Sequence, residues 1–263
     1  MAHADADGGV NRGSLYILGC RVDRVDAHEA AARISQLVER KVSAHVVTIG
    51  AEMANLAYAD REYRDTINAA DLVVPDTVGI VIASRLLRAP VPERVAGIDL
   101  LERLCADAAA RGDSIYLLGG ADGAAMAAAG ALVQRHDGLR IAGAEHGYFR
   151  EQESAAVCER IRSSGARLVF VGLGFPRQER WIREHLADLG PAVCIGVGGS
   201  FDVISGRLPR APRALRQAGL EWLYRLVREP RRFRRQLALP IFAVRALVQS
   251  FGTRVGTPHT QVK

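Results

Sequence analysis

The chain has 263 residues, 49% of them hydrophobic, and a formal net charge of +6. That content is sufficient to bury a full core, which excludes a chain that is disordered throughout. Four separated cysteines and seven histidines without metal-ligand spacing argue against disulfides and structural zinc. No apolar run reaches the roughly 18 residues that a membrane span requires, and the first residues lack a signal-peptide profile. We therefore expect a cytoplasmic protein whose contact with a membrane is peripheral.

Short apolar runs alternate along the chain with stretches whose apolar residues recur at helical spacing. The apolar runs predict strands over 14–18, 21–25, 45–48, 72–74, 114–118, 140–144, 168–171 and 192–197. Helices are predicted over 26–40, 52–56, 61–69, 78–87, 100–111, 124–136, 151–164 and 176–189. This alternation predicts an α/β protein, a Rossmann-like parallel sheet with helices on both faces.

The stretch DLVVPDTVG, residues 71–79, places a carboxylate at the end of a predicted strand. Pro75 ends that strand because proline has no N–H to donate to a sheet. Asp76 follows directly, and Thr77 can cap the next helix. One interpretation is that Asp76 is itself only a helix cap. The alternative is that it lies in the ligand crevice found at the carboxyl ends of parallel strands.

Three glycine-rich loops follow predicted strands, at 119–123, 172–174 and 196–199. Glycines there allow close approach of a phosphate or sugar, and the following helix offers unpaired N–H groups to an anion. Neither GxGxxG nor GxxxxGK[ST] occurs, so a nicotinamide-dependent oxidoreductase or a P-loop is not supported. A glycine after a strand is more often plain turn geometry. Together with Thr48 and Asp76, however, the three loops predict one crevice at one sheet edge.

The C-terminal region concentrates the positive charge, with ten arginines against two glutamates between residues 207 and 235. Guanidinium groups grip phosphate oxygens in a bidentate manner. Interleaved tryptophan, phenylalanine and leucine residues at helical spacing predict helices that lie in a membrane interface. Pro230 and Pro240 each suit the first position of a helix, so two or three short helices are expected. A solvated basic face, nucleic-acid binding and a subunit interface of a homo-oligomer are the alternatives. Nucleic acid is the weaker one, because no helix-turn-helix or RNA-binding motif is present.

Six motifs occur in consistent order between residues 14 and 235: PDTVG, ERVAGIDL, GLGFPRQE, GVGGSFD, RAP and EWLYRL. In this combination the chain resembles the bacterial WecG/TagA/CpsF family, glycosyltransferase family 26. The resemblance implies transfer of a sugar from a UDP-sugar to a polyprenyl-diphosphate-linked glycan, with inversion and without a required metal or other cofactor. It also implies action at the inner face of the cytoplasmic membrane, in cell-surface polysaccharide synthesis.

The same resemblance implies roles for individual residues. The family's general base matches Asp76. Its donor-site positions match Thr48, Arg94, Tyr148, Gln178 and Asp202. The arginines proposed to hold the acceptor's diphosphate match Arg225, Arg232 and Arg235.

The chain departs from the family pattern at three positions. Gly50 replaces the asparagine of a donor-site TxN motif, Thr77 replaces a glycine, and Arg177 replaces a lysine. Loss of the side-chain amide at position 50 leads us to the hypothesis that the donor is a UDP-hexose other than UDP-N-acetylmannosamine.

The expected organisation has four parts. Residues 1–13 are a flexible N-terminus, 14–205 the catalytic domain, 206–252 a basic amphipathic appendage that associates with the membrane, and 253–263 a flexible C-terminus. Apart from an enzyme, the composition also fits a nucleotide or nucleic-acid binding protein with a basic tail.

Overall fold

Six strands form one parallel sheet in the computed structural model, which describes residues 13–217, 219–228 and 238–255. Their order in the sheet is β4-β3-β8-β7-β5-β6. The strands are β3 (Ala44–Ile49), β4 (Leu72–Pro75), β5 (Ser114–Gly119), β6 (Arg140–Glu145), β7 (Leu168–Gly172) and β8 (Val193–Gly196). The predicted α/β fold with a Rossmann-like parallel sheet is therefore confirmed. Of the ends expected to be flexible, 1–13 and 253–263, residues 1–12 and 256–263 lie outside the described residues, whereas 253–255 belong to the last helix.

The alternation predicted from residue 14 onward is wrong for the first two strands. β1 (Ser14–Ile17) and β2 (Cys20–Asp23) pair with each other in antiparallel fashion, apart from the main sheet. The reason is the two-residue link between them, which permits only a hairpin, whereas a parallel pair needs a crossover. The hairpin covers the open edge of β4, where the Asp23 carboxylate accepts a hydrogen bond from the Val73 N–H at 2.7 Å.

Helices cover both faces of the sheet. They are α1 (Ala27–Glu39), α2 (Ala51–Ala59), α3 (Arg61–Asn68), α4 (Val78–Leu86), α5 (Gly97–Arg111), α6 (Ala124–Arg135), α7 (Ser154–Ser164), α8 (Arg177–His185), α9 (Ser200–Ile204), α10 (Arg213–Gln217), α11 (Glu221–Arg228) and α12 (Ala238–Val255). One apolar core joins the sheet to α1, α5, α6 and α9. The opposite face packs against α2, α3, α4 and α12 at one end and against α7 and α8 at the other.

The last helix, α12, packs against the body of the protein. Phe242 and Ala246 are buried in the core shared with α2, α4 and the hairpin. Gln249 bonds to the hairpin backbone, since its amide oxygen accepts from Leu18 N–H and its amide nitrogen donates to the Tyr16 carbonyl. At 18 residues, α12 is longer than the short helices expected, and Pro240 is its third residue.

The outward face of α12 is apolar and open to solvent. Its exposed side chains are Ile241, Val244, Leu247, Val248 and Phe251. Helix α11 exposes Trp222, Leu223 and Val227. Within the described ranges, no helix combines the length and the apolar character needed to cross a bilayer.

Candidate active site at the carboxyl edge of the sheet

Five adjacent strands end at the edge where the glycine loops and the polar strand ends were expected. In sheet order, Asp76 follows β4, Thr48 lies at the end of β3, and β8, β7 and β5 end in Gly196, Gly172 and Gly119. The chain leaves β7 toward β8 but leaves β5 toward β6, in the opposite direction. Such a switch point is where open α/β sheets bind ligands. The expectation that these features share one edge is therefore confirmed.

Asp76 bridges three elements at this edge. Its N–H donates to the Ile49 carbonyl of β3 at 3.0 Å. Its Oδ1 accepts a hydrogen bond from the N–H of Gly97, the first residue of α5, at 2.8 Å. The interpretation of Asp76 as the cap of the helix that follows it is wrong, because Thr77 holds that position before α4. The half-buried carboxylate is instead fixed at the N-terminus of a helix distant in sequence.

Arg94 belongs to a segment that runs beside the end of β4. The N–H of Val95 donates to the Pro75 carbonyl at 2.8 Å, so residues 93–97 run beside the end of β4. The Arg94 guanidinium forms a half-buried ion pair with Glu221 of α11, at 3.3 Å. The C-terminal region is thereby connected to the side of the site that carries Asp76.

Thr48, near the end of β3, is buried beside β8. Its hydroxyl donates to the Gly196 carbonyl at 2.8 Å, and it lies against Gly97, where an added Cβ would be 3.4 Å from the Thr48 methyl. Thr48 therefore connects the backbone that holds Asp76 with the end of β8.

Gly50 and Thr77, two of the three departures from the family pattern, are in contact. A Cβ added to Gly50 would lie 3.1 Å from the Thr77 methyl group. The Thr77 hydroxyl accepts a hydrogen bond from the Ala51 N–H at 3.2 Å, and it makes no side-chain cap to its own helix α4. The expected capping of α4 by the Thr77 side chain is thus wrong. Because Gly50 has no side chain, Thr77 caps α2 from the neighbouring strand end.

Five glycines of the three loops fall into two groups. Gly119, Gly172 and Gly196 are required by packing, since an added Cβ would lie within 2.8 Å of protein atoms at each of them. Gly174 and Gly198 have positive φ angles, and an added Cβ would meet no atom within 4 Å. The first group is the close packing expected of strand ends, whereas the second exposes backbone that a ligand can approach closely.

Gln178 ties two of these loops together. Only 3% of the residue is exposed. Its Oε1 accepts from the N–H groups of Gly174 and Gly198, at 3.2 and 3.1 Å, and its Nε2 donates to Glu179 at 2.7 Å. Its amide oxygen is therefore engaged with the loops that follow β7 and β8.

Tyr148 and Asp202 lie at the periphery of the same loops. Tyr148 is 72% exposed, on a segment whose Gly147 N–H donates to the Gly120 carbonyl. Arg177 holds that segment, donating to the carbonyls of Gly147 and Phe149. Asp202 is half-buried on α9, directly after the loop that follows β8. The lysine of the family pattern at position 177 would have no planar guanidinium group with which to bond the carbonyls of both Gly147 and Phe149.

Of the three arginines expected to hold the acceptor's diphosphate, one lies within the described residues. Arg225 belongs to α11, and Arg232 and Arg235 lie outside the described residues. The segment leading to α11 contacts the Asp76 side of the edge, because Gly219 lies against Val78, the first residue of α4.

Several contacting groups carried no separate signal in the sequence. Gly97 contributes only a backbone N–H, and Tyr63 lies 116 residues from Glu179, to which it bonds. Glu179 had a signal, because it shares the buried side of α8 with Trp181 and Ile182.

In the described ranges, one group of side chains has the geometry of metal ligands, Glu151, Glu184 and His185. Its carboxylates are exposed, and it shares no residue with the site.

Comparison with known proteins gives consistent results. The model of the glycosyl transferase WecG/TagA/CpsF family matches residues 15–256. An N-acetylglucosaminyldiphosphoundecaprenol N-acetyl-beta-D-mannosaminyltransferase of Bacillus subtilis (strain 168) is 34% identical over 224 residues, 85% of this chain and 87% of the relative. Its counterpart in Staphylococcus aureus (strain MW2) is 33% identical over 234 residues, 88% and 91% of the two chains.

Proposed function

The chain belongs to the WecG/TagA/CpsF family of glycosyl transferases, and we propose that it moves a sugar from a UDP-sugar to a polyprenyl-diphosphate-linked acceptor in cell-surface polymer synthesis. The acceptor class is supported by the relatives, whose names specify an N-acetylglucosaminyldiphosphoundecaprenol acceptor. The observation that carries the proposal is the Asp76 carboxylate, fixed by Gly97 at the carboxyl edge beside two helix N-termini and the glycine loops.

Asp76 is the general base of the proposed reaction. An acceptor hydroxyl attacks the anomeric carbon of the donor, the bond from that carbon to the UDP oxygen breaks, and Asp76 takes the hydroxyl proton. A carboxylate within hydrogen-bond reach can perform this step. Attack from the side opposite UDP inverts the configuration. The Gly97 N–H supports the geometry because it fixes one carboxylate oxygen.

The departing UDP gains negative charge, which positive groups at the edge stabilise. The helices α2, α4, α5, α6 and α8 all begin there, and helix N-termini favour anions. In this proposal, the open backbone at Gly174 and Gly198 contacts the diphosphate. Thr48, Arg94, Tyr148, Gln178 and Asp202 line or support the donor site.

The donor is a UDP-sugar of the N-acetylmannosamine type or another UDP-hexose. The relatives are named as N-acetylmannosaminyltransferases. In this chain, however, a Cβ at position 50 would be in tight contact with the Thr77 methyl, at 3.1 Å, and Gly50 offers no side-chain amide. We therefore retain the hypothesis of a different UDP-hexose.

The appendage, residues 206–252, is assigned to the inner face of the membrane, where the lipid-linked acceptor resides. The apolar outward faces of α11 and α12 support this assignment, together with the adjacent arginines. Each basic residue near an anionic surface contributes about 1 kcal/mol. Arg225, Arg232 and Arg235 are assigned to the acceptor's diphosphate.

Product analysis tests the reaction directly. Purified protein is incubated with a panel of UDP-sugars and a polyprenyl-diphosphate-N-acetylglucosamine acceptor, and the products are identified by mass spectrometry and their anomeric configuration by NMR. We expect one inverted disaccharide product. Turnover only with UDP-N-acetylmannosamine would reject the other-hexose hypothesis, and no transfer from any UDP-sugar would reject the proposed function.

Sedimentation with liposomes tests the membrane assignment. Replacing both Val244 and Val248, which are 62% and 64% exposed, by serine removes apolar surface without touching the core. We expect the variant to sediment less with anionic vesicles than the unchanged protein. Equal sedimentation, with light scattering showing that the same substitutions dissociate an oligomer, would assign this face to a second copy of the chain.

A further inference from the structure

A buried polar network contacts the two loops that carry Gly174 and Gly198. Glu179 is fully buried on α8, and Tyr63 is fully buried on α3. The Tyr63 hydroxyl donates to Glu179 Oε2 at 2.9 Å, and Gln178 Nε2 donates to Glu179 Oε1 at 2.7 Å. Burial raises the pKa of Glu179, and both hydrogen bonds oppose that rise. The proposed transfer assigns no step to Glu179 or Tyr63.

The network decides which way the Gln178 amide faces. An amide offers an acceptor on one side and donors on the other, and a flip of the group exchanges them. Glu179 Oε1 accepts a hydrogen bond, so the Gln178 nitrogen must face it. The Gln178 oxygen then faces Gly174 and Gly198, whose N–H groups both donate to it. With the opposite orientation, two loop N–H groups would meet an NH₂ group and lose their acceptor.

The network is closely packed by the end of β8. A Cβ on Gly196 would lie 2.7 Å from Gln178 Nε2 and 3.1 Å from Glu179 Oε1. The same Gly196 accepts the hydroxyl hydrogen of Thr48 through its carbonyl. The network therefore links the loop after β7, the loop after β8 and the end of β3.

We propose that Glu179, supported by Tyr63, is a positioning residue for donor binding: it orients the Gln178 amide and thereby sets the spacing of the loops at Gly174 and Gly198. The proposal rests on the proposed function in one respect, namely that these loops contact the UDP moiety. Glu179 touches no reacting atom. Its loss acts on the affinity for UDP and leaves the chemical step in place.

A carboxylate exchange between neighbouring positions tests this inference. Gln178→Glu alone places two carboxyl groups at hydrogen-bond distance, where they either repel each other or share a proton. At a pH at which both are ionised, we expect UDP to bind about tenfold more weakly or worse. Glu179→Gln with Gln178→Glu restores every donor and acceptor: the carboxylate accepts from both loops, and the new amide donates to it. We expect this double variant to recover UDP affinity to within about threefold.

The measurements are the Kd for UDP by calorimetry, kcat and KM for the donor, and the melting temperature. Tyr63→Phe is the mild variant that keeps the ring, and we expect a rise in KM with kcat changed less than about twofold. Glu184→Gln, exposed on the same helix, is the matched control and should change none of them. Hydrogen exchange at the Gly174 and Gly198 amides should quicken in Tyr63→Phe and Gln178→Glu, and return in the double variant.

Two results would overturn the inference. One is recovery of the melting temperature in the double variant without recovery of UDP affinity, which would make the network purely structural. The other is unchanged UDP affinity in Gln178→Glu at a pH at which both carboxyl groups are ionised. Failure of the proposed reaction is distinguishable, because UDP would then still bind with the expected pattern across the variants while no UDP-sugar is turned over.

Discussion

The two halves of the carboxyl edge are built in different ways. At β4 and β3 the edge presents side chains: the Asp76 carboxylate, the Thr48 hydroxyl and the Thr77 hydroxyl, each bonded to backbone of a neighbouring element. At β8, β7 and β5 it presents backbone, because the strands end in glycines and Gly174 and Gly198 lie open. Proton transfer requires an ionisable side chain, whereas a diphosphate can be held at the N-termini of the helices that follow these strands, beside glycine backbone that it can approach closely.

The two halves of the edge are also held in place by different parts of the protein. The side-chain half is covered by the C-terminal region, since Phe242 of α12 lies against Gly79 at the start of α4 and Glu221 of α11 pairs with Arg94. The backbone half is held from below by the buried pair Gln178 and Glu179. The comparison therefore predicts that substitutions in the side-chain half, or in the C-terminal helices that cover it, reduce kcat or stability. Substitutions in the backbone half should reduce the affinity for UDP.

The largest expected effect is on the side-chain half. Asp76→Asn keeps an oxygen that can accept from the Gly97 N–H but removes the basic carboxylate. We expect kcat to fall by about 100-fold to 10,000-fold, the usual contribution of a general base, with the Kd for UDP nearly unchanged. Asp137→Asn, an exposed carboxylate at the turn before β6, is the matched control. Full turnover by Asp76→Asn would remove Asp76 from the role of base.

The next effect concerns the support from α12. Phe242 is 3% exposed and packs in the core shared by α2 and α4. Phe242→Ala should destabilise the protein by about 3 to 5 kcal/mol, as truncation of a buried aromatic ring generally does. Denaturant unfolding measures the change, and Val244→Ala on the exposed side of the same helix should stay within about 0.5 kcal/mol. Equal small losses in both variants would show that α12 does not support this half of the edge.

In the backbone half, substitutions at two glycines distinguish an effect on packing from an effect on ligand binding. Gly119→Ala would bring a Cβ to 2.4 Å from the Gly172 carbonyl oxygen at a φ of +134°, so we expect a loss of about 3 kcal/mol. Gly174→Ala meets no protein atom, and its positive φ costs only about 1 kcal/mol. In the proposed donor complex, its Cβ would instead face the UDP moiety.

Calorimetry and denaturant unfolding together decide this case. We expect Gly174→Ala to weaken UDP binding more than its small loss of stability explains. Gly165→Ala, a helix-ending glycine with similar φ and open surroundings, is the matched control and should leave UDP binding unchanged. Equal UDP affinity in both variants would mean that the loop after β7 does not contact the nucleotide.

The sequence was informative about the strand ends and less so about the residues that hold them in place. Alternating elements and the motif around Asp76 predicted the sheet and its polar edge, because both depend on local pattern. The partner of Asp76 could not be predicted, since Gly97 acts through its backbone and is brought near by the fold. Likewise, Tyr63 and Glu179 meet across two helices with no local signal in common. The hairpin was misassigned although its two-residue link was visible, because the regular alternation of the later strands was extended to it.

The smallest effect is expected where Gly50 and Thr77 meet. Thr77→Gly leaves the Ala51 N–H without its acceptor, which should destabilise the protein by about 1 kcal/mol. Gly50→Asn alone should also destabilise it, because the new Cβ would lie 3.1 Å from the Thr77 methyl. The two changes together should cost less than their sum, since an asparagine is a preferred cap for α2 and the glycine gives it room.

The same four proteins test whether this contact also affects the choice of donor. Denaturant unfolding gives the coupling energy, and kcat/KM for N-acetylated and plain UDP-hexoses gives the preference of each variant. We expect the double variant to shift toward the N-acetylated donor, because it alone presents a side-chain amide beside Thr48 without a clash. Coupled stability with an unchanged donor ratio would limit the pair to capping α2. Additive losses of stability would mean that the two positions act separately, despite their contact.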